Sequence, residues 1–183
     1  MSKGKRKEFV LKIAILGDAG VGKTSLVNQY VTKSFKTDYR KTLGVNIVRK
    51  DIELEEKNTW VRLLLWDIAG QQQYEKARNK YYEGCVGALL VYDVTRDLSF
   101  LDIESKWLRD FNNYVNNDIP YVLIGNKNDL TEDKTVNIQE ALKLAKNVGA
   151  IEIIETSAKN GHNVEEAFLK LVTHILKMKD EGF

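Results

Sequence analysis

Two stretches, "GALLVYDV" (Gly87–Val94) and "YVLIGN" (Tyr121–Asn126), are apolar at nearly every position. A strand with one face in water alternates apolar and polar side chains. A strand that is apolar throughout has to be covered on both faces, which indicates a parallel sheet with helices on each side. The rest of the chain supplies the partners. Further β-type runs lie at Phe9–Leu16, Val45–Leu54, Val61–Trp66 and Ile151–Ile154. Helical spacing lies between them at Phe100–Val115, Ile138–Val148 and Val164–Lys177. In the last, Val164, Ala167, Phe168, Leu171, Val172, Ile175 and Leu176 form an i, i+3, i+4 stripe. Asn163 with Glu166 three residues on resembles a capping box. "EEKNTW" reads as the turn of a hairpin between neighbouring strands. In such α/β architecture ligands bind in the loops beyond the carboxyl ends of the strands. Any chemical motif should therefore fall directly after a strand.

The first motif does so. "GDAGVGKT" (Gly17–Thr24) follows the run Phe9–Leu16 and matches G-x-x-x-x-G-K-[ST]. Glycines let successive N–H groups turn inward as an anion nest, and a helix starting near Lys23 adds its positive end. Lys23 can reach β- and γ-phosphates, and the Thr24 hydroxyl can ligate Mg²⁺. The four fixed positions coincide by chance on the order of once in a hundred chains of this length, so the strand–loop–helix context makes this a phosphate loop. The second, "LLLWDIAGQ" (Leu63–Gln71), ends a strand in Asp67, with Gly70 and Gln71 behind it. An aspartate there can hold Mg²⁺, Gly70 can bring its N–H to a γ-phosphate, and Gln71 can orient a water. The third, "NKND" (Asn126–Asp129), follows "YVLIG". The Asp129 carboxylate can accept both the ring N–H and the amino group of guanine; adenine lacks that ring donor and would leave a desolvated acceptor unpaired. Lys127 can lie along the base, and Asn126 ties loops together. The fourth, "ETSAK" (Glu155–Lys159), can offer the Ala158 N–H to a base carbonyl.

Length and composition add bounds. A chain of 183 residues suits one domain, read as a basic tail over 1–7, a nucleotide-hydrolysing domain over 8–179 and a short tail over 180–183. The net charge of +2 points to no nucleic-acid partner, and "KGKRK" (Lys3–Lys7) reads as a solvated terminus. The single cysteine, Cys85, excludes an internal disulfide and reads as a small core residue. No apolar run is long enough to span a membrane, and no signal-peptide core is present. The expectation is a cytoplasmic monomer.

The four motifs, in this order and each after a strand, resemble a small GTPase of the Ras superfamily over about residues 8 to 178. The resemblance implies a P-loop G domain with a six-stranded, mostly parallel sheet, one antiparallel edge strand and five helices. It implies GTP and GDP binding with Mg²⁺ and slow hydrolysis of GTP. "TLGVNI" (Thr42–Ile47), "LLLWDIAGQQQY" and "KYYEGCVGALLVYDVT" are most similar to the Rab branch. By that similarity Thr42 closes on Mg²⁺ beside Thr24 and Asp67, Phe35 stands at the guanine edge, and Tyr39 covers the phosphates. Catalysis falls to Gln71, Lys23 and Thr42. The nucleotide contacts are Asp18, Ala19, Gly20, Val21, Gly22, Lys23, Thr24, Ser25, Phe35, Tyr39, Thr42, Gly70, Asn126, Lys127, Asp129, Ser157, Ala158 and Lys159. The γ-phosphate would order residues ~35–46 and ~68–80. Ile47, Trp66 and Tyr81 would form the patch read by effectors, alongside a GTPase-activating protein and an exchange factor.

The departures from the Rab pattern are Ile47 for phenylalanine, Ile68 for threonine, and Gln72–Gln73 for Glu-Arg. The end "KMKDEGF" holds no cysteine for prenylation, so either a lipidated tail is missing, which would add a peripheral-membrane location, or none is used. No arginine stands out as acting in cis; Arg40 in the Thr42 segment is the nearest. Two rivals remain at this level, a scaffold that barely hydrolyses and an ATP-using P-loop enzyme. Gln71 speaks against the first and Asp129 against the second.

Overall fold

A computed structural model of the chain describes residues 6–35, 41–55, 58–115 and 118–181. Six strands form one sheet in the order β2-β3-β1-β4-β5-β6. They are β1 (Lys7–Leu16), β2 (Val45–Leu54), β3 (Thr59–Ile68), β4 (Gly87–Asp93), β5 (Tyr121–Asn126) and β6 (Ile153–Thr156). Only the edge strand β2 runs antiparallel, paired with β3 from Val45↔Ile68 to Leu54↔Thr59. The hairpin is as the sequence predicts, although two residues of its turn lie outside the described ones. Strands β4 and β5 are buried at every residue, as their unbroken apolar runs demand.

Five helices cover the sheet: α1 (Lys23–Thr32), α2 (Glu75–Tyr82), α3 over 97–112, α4 (Ile138–Val148) and α5 (Val164–Asp180). Helix α3 is α-helical over Asp97–Asp102, π-helical over Ile103–Leu108 and α-helical again over Arg109–Asn112. The core has two layers. On one face Leu11, Ile13 and Ile15 of β1 meet Leu26 and Tyr30 of α1 and the apolar stripe of α5. On the other, Ala14 and Leu16 meet Tyr82, Trp107, Phe111, Ala141 and Ala145 of α2, α3 and α4. The odd and even residues of a single strand therefore feed opposite layers, the signature of a sheet covered twice.

Some local expectations change. Asn163 does not cap α5 with its side chain; it sits at φ 53°, and its Nδ2 donates to the Glu155 carbonyl at 3.0 Å. A left-handed residue there turns the chain from β6 into α5, and the carboxamide is used to hold that turn. The side-chain cap falls instead at Asn137, which accepts from the Gln139 N–H at 2.8 Å. Strand β6 starts two residues later than the apolar run, and β1 pairing begins at Lys7, inside the stretch read as tail.

Helices α1 and α5 are locked by Tyr30 and Phe168, stacked at 4.0 Å with an interplanar angle of 4°. Phe168→Ala should cost about 3–5 kcal/mol, measured by urea unfolding. Cys85 is 4% exposed, and burial pushes its thiol up to about 11. Both effects suppress the thiolate, so a thiol reagent at pH 8 should label the native protein slowly and the unfolded protein at once.

Candidate functional site

The parallel strands all deliver their loops to one end of the sheet. Strand β1 lies between β3 and β4, so the chain leaves it to one side and later returns on the other. The loop after β1 thus occupies the topological switch point.

That loop cannot tolerate side chains where it bends. Gly22 has φ 98°, and a Cβ on it would lie 2.3 Å from Asn126 Nδ2. Helix α1 starts immediately, with the Leu26 N–H donating to the Gly22 carbonyl at 2.8 Å. Lys23, 6% exposed, donates through Nζ to the carbonyls of Gly17 (2.6 Å) and Asp18 (2.8 Å). Burial lowers its pKa to about 8; Asp67 and Asp18 oppose the shift, while Arg78 and Arg96 add to it.

Beside it, three oxygen-bearing side chains from separate elements converge. Thr24 Oγ1 donates to Asp67 Oδ2 and lies 2.9 Å from Thr42 Oγ1. Asp67 is fully buried, and its Oδ1 has no partner. Burial raises its carboxyl pKa, against the pull of the Thr24 bond, Lys23 and Thr42. An all-oxygen set around an orphaned, desolvated carboxylate fits Mg²⁺. Lys23 and Asp67 are each held where burial disfavours their charged form; an anionic ligand together with a divalent cation would relieve both.

Gly70 presses on the phosphate loop: a Cβ there would meet the Ala19 nitrogen at 2.3 Å and the Gly17 oxygen at 2.7 Å. The adjoining Ala69 N–H donates to the Gly44 carbonyl at 2.9 Å, which joins the Asp67 loop to the Thr42 segment. Gln71 is half-buried, and its Oε1 is buried without a partner. Both polar groups predicted to act at the reacting end, Asp67 and Gln71, therefore carry unsatisfied buried oxygens.

The β5 and β6 loops form the other half. Asn126 is 1% exposed; its Nδ2 donates to the Val21 carbonyl (2.9 Å), and its Oδ1 accepts from Thr156 Oγ1 (3.1 Å) and the Ala158 N–H (3.2 Å). It ties three loops together, as expected from its position. The Ala158 N–H, expected to face a ligand, is thus already engaged with Asn126. Asp129 accepts from Ser157 Oγ at 2.5 Å, with Lys159 Nζ 3.9 Å away. Lys127 adopts φ 69° and pairs with Asp93 at 2.6 Å. Asp18 turns out of the loop to accept from Trp107 Nε1 (2.9 Å) and Lys106 Nζ (3.1 Å). Ser25 is half-buried, Gly20 is exposed, and Phe35 stands 40% exposed in the loop after α1. Tyr39 and Arg40 lie outside the described residues.

Sequence reading overlooked two arginines. Arg96 Nη2 donates to the Ala19 carbonyl at 3.0 Å, and its Nε lies 3.3 Å from Asp93. Arg78 Nη2 donates to the Gln71 carbonyl at 3.2 Å. Arg40 is thus not the only candidate arginine. Arg96 could have been found, because it closely follows the carboxyl end of β4. Arg78 could not, because α2 has no apolar stripe to mark an inward-facing charge. Outside the loops, Ile47 pairs across the hairpin with Trp66, the Trp66 and Tyr81 rings lie 6.2 Å apart, and Ile47 is 50% exposed.

Comparison with known proteins agrees with this arrangement. The Ras family profile matches residues 12–177. The Ras-related protein Rab-8B of Dictyostelium discoideum is 41% identical over 170 residues, covering 93% of this chain and 82% of that protein. The Ras-related protein RGP2 of Oryza sativa subsp. japonica is 36% identical over 167 residues, covering 91% and 75%. With the strand order, the phosphate loop at the switch point and these matches together, the chain belongs to the Ras family and is a Rab-like small GTPase.

Proposed function

We propose that this GTPase is a molecular switch that binds GTP and GDP with Mg²⁺, hydrolyses GTP slowly, and regulates membrane traffic through partners at its two switch segments. The observation that carries the reading is the convergence of Thr24, Thr42 and Asp67 beside buried Lys23. Lys23 and the amides from Asp18 to Thr24 hold the β- and γ-phosphates, with Ser25 at the start of α1. Mg²⁺, when bound, neutralises charge on the phosphate oxygens, and Thr24, Thr42 and Asp67 are the residues that would hold it. Gly70 reads the γ-phosphate through its N–H. Gln71 orients the attacking water. Phe35 and Tyr39 close over the base edge and the phosphates.

Asp129 selects guanine, with Ser157 holding its carboxylate, Lys127 and Lys159 flanking the base, and Ala158 at the base carbonyl. Hydrolysis is slow because positioning supplies most of the catalysis and an arginine from an activating partner is needed for full rate. Effectors and an exchange factor would read the Ile47, Trp66 and Tyr81 surface. Among the described residues no helix is long and apolar enough to cross a membrane.

Phosphate release from GTP and from ATP, followed in the purified protein, tests the reading. GTP should turn over and ATP should not, and Gln71→Leu should slow turnover by roughly 10- to 100-fold while leaving GTP binding intact. Equal turnover of ATP would sink the guanine assignment, and undetectable turnover of GTP over long incubation would favour a scaffold. Asp129→Asn exchanges an acceptor for a donor. It should weaken GTP about a hundredfold or more and favour the xanthine nucleotide, checked by competitive displacement.

A further inference from the structure

Arg78 is 1% exposed. Its guanidinium lies 4.4 Å from the centroid of the Trp107 ring. Nη1 lies 3.5 Å from Asp110 Oδ2, Nη2 donates to the Gln71 carbonyl at 3.2 Å, and Nε is buried with no partner. Asp110 also accepts from the Tyr82 hydroxyl at 2.8 Å. Such a pair is a poor stabiliser. A buried ion pair gives back its desolvation only with good geometry and full hydrogen bonding, and here the ionic contact is long and one donor is unmet. An apolar side chain on α2 would pack against Trp107 without that cost. What only the guanidinium provides is a donor aimed at the backbone of Gln71.

The indole N–H of Trp107 completes a chain of contacts. Its Nε1 donates to Asp18 Oδ1 at 2.9 Å, and Lys106 reaches the same oxygen at 3.1 Å. Both residues stand in the π-helical turn Ile103–Leu108 of α3. Wide turns of this kind recur at functional sites, where they re-aim side chains. Asp18, Trp107, Arg78 and Gln71 therefore form a continuous path from the phosphate loop, through α3, to the residue assigned to the attacking water.

We propose that Arg78 is a positioning residue for hydrolysis: clamped by Trp107 and Asp110, it holds the Gln71 backbone against α3 and in register with the phosphate loop. This rests on the role of Gln71 proposed above. A lysine keeps the charge but replaces the guanidinium's separate Nη1 and Nη2 donors and its planar contact with Trp107 by a single ammonium, so it does not reproduce the fork. Single-turnover GTP hydrolysis in Arg78→Lys should fall roughly tenfold, within the hundredfold loss that a misplacement of about 1 Å can cause. GTP and GDP dissociation rates should stay within about twofold, a split that a merely structural role would not give.

The double variant with Gln71→Leu separates the outcomes. If Arg78 acts through Gln71, adding Arg78→Lys to Gln71→Leu should cost nothing further. A wild-type rate in Arg78→Lys with a slow Gln71→Leu overturns the clamp alone. The same loss from Arg78→Lys in both backgrounds also overturns it. A wild-type rate in Gln71→Leu overturns the underlying assignment and the clamp with it. Should Arg78→Lys not fold, Asp110→Asn carries the same test, with a loss of a few-fold expected to vanish in the Gln71→Leu background.

Discussion

Lys23 and Asp67 are held in a place where neither charge is welcome. Among the described residues the ammonium donates to two carbonyls, and the carboxylate keeps one buried oxygen unpartnered. Burial works against both charged forms. Asp67 is fully buried and Lys23 is 6% exposed, so little water reaches either. The same enclosure raises the electrostatic return from a ligand that brings an anion to one and a cation to the other. The proposed binding of phosphate and magnesium together rests on this pair.

The topology explains why these two residues meet. Asp67 is the second-last residue of β3 and Lys23 starts the helix after the β1 loop, and the two strands are parallel neighbours in register from Lys7↔Thr59 to Ile15↔Asp67. Strand β5 brings Asn126 to the same end, where its carboxamide fixes the phosphate loop and the β6 loop at once. The half of the site assigned to phosphate and the half assigned to the base are thus braced by one buried side chain. Its removal would loosen both.

Much of this was legible along the chain. The unbroken runs in β4 and β5 required a doubly covered sheet, and each motif fell after a strand because that is where such a sheet exposes its loops. The hairpin and the α5 stripe were equally plain. What escaped were contacts set by close packing. Asn163 matched a capping pattern, yet the turn out of β6 demanded a left-handed residue and claimed its carboxamide. The π-helical turn in α3 has no signature in periodicity, so nothing marked Trp107 as a partner of Asp18. Nothing along the chain marked Arg78 as buried against Trp107.

The sequence by itself determined the fold class, the order of the motifs and the chemistry each can perform, because these depend on residue type, local spacing and strand-ending position. The tertiary structure decided which of those groups actually touch. It brought Thr24, Thr42 and Asp67 together from three segments, tied Lys127 to Asp93, and turned Asp18 away from the loop toward α3. It also buried Arg78 behind Gln71. The physical reason is that long-range contacts are settled by how helices pack on a twisted sheet, and no local pattern encodes which polar groups that packing leaves within hydrogen-bond reach.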